Sequence, residues 1–212
     1  MVATAPTGLT NQGTIRLECA SDNWKDQSVV LAIAGGVLKN ASNGHVEVSA
    51  ANGNGRSIQG SIENEGTLWV EDGVTLTISG AAPMFLHTAG LISAEGGLVL
   101  EGGQFIWTGG DLAGTVRFHD SRVSVEDGVT SVSTLRLVGA RNRLVKNLSP
   151  LVTLWVEGHT TWGAAMLAAE SGAENRGTIL LETSLDDWRD QSARLDCGAD
   201  GFVNAPRGVI RT

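Results

Sequence analysis

The sequence repeats itself over a long period. Asn11-Gln12-Gly13-Thr14-Ile15-Arg16-Leu17-Glu18 returns as Asn175-Arg176-Gly177-Thr178-Ile179-Leu180-Leu181-Glu182. Asp22-Asn23-Trp24-Lys25-Asp26-Gln27-Ser28 returns as Asp186-Asp187-Trp188-Arg189-Asp190-Gln191-Ser192. Every pair is offset by 164 positions without a gap, and 15 of 38 aligned positions are identical. Such a period means that one structural unit ends and a second begins within the chain. The chain therefore divides into one period, residues 11–174, and the start of the next, residues 175–212. Together, residues 1–212 read as a single segment.

Shorter echoes lie inside the period. Val70-Glu71-Asp72-Gly73-Val74-Thr75 recurs as Val125-Glu126-Asp127-Gly128-Val129-Thr130, and Thr67-Leu68-Trp69-Val70-Glu71 as Thr153-Leu154-Trp155-Val156-Glu157. Neither offset persists along the chain, so the unit is built from irregular sub-units. Local pattern predicts strands almost everywhere: Thr14–Glu18, Val29–Ile33, His45–Ser49, Thr67–Val70, Thr75–Ser79, Leu98–Glu101, Gln104–Thr108, Thr115–His119, Arg122–Val125, Thr134–Val138 and Thr153–Glu157. Gly, Asn, Asp or Ser bounds most of them, the residues that tolerate positive φ in tight turns. The pairs Gly96-Gly97, Gly102-Gly103 and Gly109-Gly110 predict corners between strands of four or five residues. Strands that short suit one side of a coil that turns a corner every six or seven residues.

The expected fold is all-β, a parallel β-solenoid with three faces. At ~20–25 residues per coil, within the range of solenoid repeats, the chain makes about nine or ten coils. The stretch Ala164–Glu170 has a helical composition. Its counterpart 164 residues earlier contains Pro6 and Gly8, so a strand or loop is expected there.

Composition closes off other classes. Charged residues make up 18% and hydrophobic ones 42%, which disfavours disorder. The 28 glycines have no three-residue period, which excludes collagen, and they would destabilise helices. A net charge of -8 without a basic stripe argues against nucleic acid. No apolar run is long enough to insert in a membrane, and the N-terminus lacks the basic and apolar regions of a signal peptide. Cys19 and Cys197 are far apart and have no histidine at ligand spacing, so neither zinc nor another cofactor is expected.

The repeated Asn-x-Gly-Thr-Ile-x-Leu-Glu phrase, the Trp-x-x-Gln-Ser segment, Phe105-Ile106-Trp107-Thr108-Gly109-Gly110 and the stretch Asn142–Glu157 resemble tandem repeats of giant secreted bacterial proteins of the haemagglutinin or autotransporter-passenger kind. The resemblance covers most of the chain and implies a right-handed parallel β-helix at the bacterial surface or shed from it. It implies an adhesive or structural role and carries over no catalytic residue.

The candidate ligand-binding residues are Trp24, Asp26 and Gln27 with their copies Trp188, Asp190 and Gln191. An indole can stack on a sugar while a carboxylate and an amide bond its hydroxyls. The competing reading is a projecting loop in which Trp covers the edge of the solenoid. Trp69, Trp107 and Trp155 stand in strands and belong either to the core or to an outward row. Glu71-Asp72 and Glu126-Asp127 offer too few oxygens for calcium and read as turns. The four histidines are isolated and expected to be solvated, with His119 and Asp120 on opposite faces. Polysaccharide cleavage would need convergent carboxylates. Asp111, Asp120, Glu126 and Asp127 are the densest mid-chain acidic group, yet they lie on separate turns. No catalytic residue and no metal ligand is predicted.

The expected function is therefore a non-enzymatic shaft or spacer in a large, repetitive, secreted or cell-surface bacterial protein. Its partners would be neighbouring repeats of the same chain, host or matrix glycans or proteins, and other copies joined end to end. The alternatives are a glycan-binding module using the repeated Trp/Asp/Gln loops, and a β-helix polysaccharide lyase or hydrolase.

Overall fold

The computed structural model describes residues 1–19, 28–49, 55–183, 192–198 and 201–212. Among them there is no helix, and all 22 strands pair in parallel. Twenty strands join one sheet, and Glu174–Asn175 pairs with Val203–Asn204 in a second. The sole antiparallel bridge among the described residues is His159 with Gly163.

The pairings run in three ladders. The first passes through Val2, Val30, Ser57, Thr77, Val99, Arg117, Arg136, Trp155, Leu180 and Arg211, ten rungs in all. The next residue along each strand faces the interior, because strand side chains alternate. These residues stack as Leu31, Ile58, Ile78, Leu100, Phe118, Leu137 and Val156, all buried. Aligned like-sized side chains make the core a column that lengthens with each rung.

The second ladder carries a buried polar column. Asn11, Asn40, Asn64 and His87 occupy successive rungs, followed by Trp107 and Val125. Asn40 donates to the side-chain oxygen of Asn64 at 2.7 Å and to the Thr67 carbonyl at 3.0 Å. Asn64 meets His87 Nδ1 at 3.1 Å, and His87 Nε2 reaches the Asp111 carbonyl at 3.1 Å. Each buried amide thus finds partners in the rung above or below, as buried polar groups must. The third ladder runs Leu17, Val48, Val70, Ala94 and Gly114.

The two copies of the repeated phrase do not fall on the same ladder. Leu17 belongs to the third, but Leu181 belongs to the first, stacked on Val156. Likewise Val29–Ala32 belongs to the first ladder, whereas Ala193–Asp196 joins the second through Ala165–Ala168 and Asn142–Leu144.

One sequence expectation meets a correction here, and others hold. Gly96-Gly97 is not a break between strands. It lies inside the strand Leu91–Glu101, where the register shifts between Ala94 and Leu98. Gly97 has φ of +130°, which lets the chain change faces without ending the strand. Gly102-Gly103 and Gly109-Gly110 do separate strands. Ala165–Ala169 is a strand, despite its helical composition, because its backbone pairs on both sides.

Candidate functional site

Trp24, Asp26, Gln27, Trp188, Asp190 and Gln191 lie outside the described residues. The strand before the first set, Thr14–Leu17, belongs to the third ladder, and the strand before the second, Thr178–Thr183, to the first.

The strand tryptophans divide. Trp107 is fully buried, stacks 6.4 Å from the His87 ring and donates to the Gly109 carbonyl at 3.1 Å. Trp69 and Trp155 point outward between buried neighbours. His87 is also buried, contrary to the expectation that the histidines are solvated, because it continues the asparagine column. His119 and Asp120 do not point apart either. Asp120 follows the strand Asp111–His119 with φ of +51°, and its carboxylate lies 3.9 Å from His119 Nε2.

Three of the four mid-chain carboxylates have individual partners. Glu126 pairs with Lys146 at 3.1 Å, Asp127 with Arg176 at 2.9 Å, and Asp120 accepts from the Arg141 amide at 3.0 Å. Asp111 contributes its carbonyl to His87.

The densest group of chemistry-bearing side chains is elsewhere, on the outer surface of the first ladder. Arg117, Arg136 and Trp155 are consecutive rungs. Arg136 forks onto Glu157 with bonds of 2.9 and 2.6 Å, and Glu157 is only 1% exposed. Such a bidentate pair is strong and fixes the orientation of both groups. The Arg136 guanidinium also lies 4.4 Å from the Trp155 ring centre. Arg117 lies 4.7 Å over Trp162, whose other neighbours are His159 at 4.6 Å and His119 at 6.2 Å between ring centres.

Arg117 differs from Arg136 in one respect. Among the described residues no carboxylate lies within ion-pair distance of it. Burial weakens its hold on the proton, the Arg136 charge adds to that effect, and Glu157 opposes both. A guanidinium nevertheless stays charged in a protein. Glu157 thus pairs with Arg136 and not with Arg117. Arg117 Nε and Trp155 Nε1 are both buried without a hydrogen-bond acceptor.

Two adjoining hollows lie here. One, of 220 Å³, is lined by Thr75, Gly96, Gly97, Thr115, Arg117 and Arg136 among others. The next, of 390 Å³, is lined by Gly114, Thr115, Thr134, Arg136, Thr153, Trp155 and Leu180. They share Thr115 and Arg136, so they form one groove along the ladder. The sequence carried a signal for it that goes unread without the register: Thr-x-Arg at 115–117 and 134–136, then Thr-x-Trp at 153–155.

No protein-family model matches the chain, and no curated protein or solved structure does.

Proposed function

We propose that the chain is a non-enzymatic shaft segment, a three-faced, right-handed parallel β-solenoid of about ten coils belonging to a large repetitive protein. The single observation that carries this reading is the first ladder, which is hydrogen-bonded through ten rungs without interruption. At ~4.8 Å per rung such a stack is about 45 Å long. Crossover connections between parallel strands of one sheet are right-handed in the great majority of proteins, which supports the handedness that the resemblance implies. The secreted or cell-surface bacterial location rests on that resemblance.

The shift of the repeat between ladders gives the winding. From Leu17 on the third ladder to Leu181 on the first is roughly seven and a third turns, so a turn takes about 22 residues. Successive copies are then set about a third of a turn apart around the axis. This arrangement sets the strands Thr14–Leu17 and Thr178–Thr183 on different ladders, which suits a shaft better than a single aligned binding face.

Concatenated chains of one, two and three periods, measured by small-angle scattering, test the reading. The maximum dimension is expected to grow by about 35 Å with each period, at ~4.8 Å per rung. Growth as the cube root of mass would sink it. The terminal rungs have open strand edges, which recruit other chains. Neighbouring repeats of the same protein are the natural cover, and the isolated chain is expected to associate end to end in sedimentation runs.

A further inference from the structure

We propose that the groove along Arg117, Arg136 and Trp155 binds a carboxylate-bearing oligosaccharide lying parallel to the ladder. The site stands on the first ladder alone, so it does not depend on the shaft reading. Its anchor is Arg117. This guanidinium is half-buried, sits beside a second cation, and has no carboxylate of its own among the described residues. In a chain of net charge -8 that is a positive position without an ion-pair partner among the described residues, and its buried Nε has no acceptor. Arginine's planar fork matches the two oxygens of a carboxylate. Arg136 cannot serve in the same way, because Glu157 occupies its fork.

The second independent donor is Trp155 Nε1, buried and lacking an acceptor at the far end of the same groove. A sugar hydroxyl would satisfy it. Thr115, Thr134 and Thr153 line the floor between the two donors, with Thr134 and Thr153 directly paired across rungs. Rungs recur at ~4.8 Å, close to the length of one pyranose unit, so successive sugars can meet successive hydroxyls. Gly96, Gly97 and Gly114 leave the groove wall without side chains. The carboxylate would sit on Arg117 and the reducing or non-reducing continuation would run toward Trp155 and Leu180.

Titration calorimetry with the whole chain and three hexasaccharides tests this: oligogalacturonate, a sulfated galactan fragment free of uronic acid, and neutral cello-oligosaccharide. Oligogalacturonate is expected to bind at least tenfold more tightly than the other two. Arg117→Gln and Arg117→Lys should each weaken it tenfold or more, since Lys keeps the charge but loses the fork. Trp155→Phe, which keeps the ring and removes only the N–H, should weaken it about threefold. Should Arg117→Gln fail to fold, the Trp155→Phe and Arg117→Lys results still decide. The proposal is overturned if wild-type protein does not bind oligogalacturonate at millimolar concentration. It is equally overturned if the sulfated or neutral sugar binds as well, or if Arg117→Lys and Trp155→Phe leave binding unchanged.

Discussion

Asn11 donates from Nδ2 to Oδ1 of Asn40 at 2.8 Å, and 164 residues later Asn175 donates to Asn204 at the same distance. The surrounding bonds recur as well. Asn11 reaches the His45 carbonyl at 3.0 Å and Asn175 the Val209 carbonyl at 3.1 Å. The Gly13 and Gly177 amides each donate to the side-chain oxygen of the asparagine two residues before, at 3.2 and 3.1 Å. The repeated phrase therefore encodes a hydrogen-bonding device between rungs as well as a strand.

Asn40 is the middle of that device. It accepts from Asn11 and donates to Asn64 and Thr67, and it is fully buried. Asn40→Ala would strand donors and acceptors on both neighbouring rungs, at about 1–3 kcal/mol for each unsatisfied group. Urea unfolding is expected to show a loss of about 3 kcal/mol, and a loss below 1 would mean that water replaces the ladder.

His87 makes stability depend on pH. Burial holds its pKa below the ordinary 6.5, only partly offset by its bonds to the Asp111 and Asn64 carbonyls. The unfolded chain therefore takes up this proton before the folded one does. His87's contribution is present in full above pH ~6.5 and is lost as pH falls from there through the lower folded value. His87→Asn keeps an amide in the column and removes the titration. Thermal melts between pH 7 and 5 should fall less steeply in this variant than in the wild type.

Phe118 stacks between Leu100 and Leu137 in the inner column and lies 5.0 Å from the Phe105 ring. Phe118→Ala should cost about 3–5 kcal/mol, because rungs held on both sides by hydrogen bonds cannot collapse into the space. A denaturation midpoint within error of the wild type would contradict this packing.

Two glycines with positive φ separate conformational from steric need. Gly102 has φ of +65° and open space where a Cβ would stand. Gly90 has φ of +75°, and its Cβ would run into the Gly66 carbonyl of the preceding rung. Gly102→Ala is expected to cost about 1–2 kcal/mol, the left-handed backbone penalty alone. Gly90→Ala should cost clearly more and disturb the Leu91 pairing. Equal midpoints in guanidinium chloride would refute the distinction.

Thr67–Val70 and Arg122–Val125 were legible to the residue, because their alternation and flanking turns are local signals. Met84–His87 was not, since its histidine reads as polar in sequence and finds its partners only in Asn64 and Asp111. The groove was illegible for a related reason. Arg117, Arg136 and Trp155 are each 19 residues apart, a spacing that matches no local period.

Sequence alone determined most of the strands, the corners at Gly102-Gly103 and Gly109-Gly110 and the 164-residue period, since each is written in neighbouring residues or in direct identity. Only the tertiary structure decided which ladder each strand joins. That choice depends on the summed length of every intervening strand and turn, so one bulge, as at Ala94–Leu98, changes how the chain passes from one ladder to the next. The same physical fact moves Leu181 onto the first ladder while Leu17 stands on the third, and it aligns two arginines and a tryptophan that the sequence keeps apart.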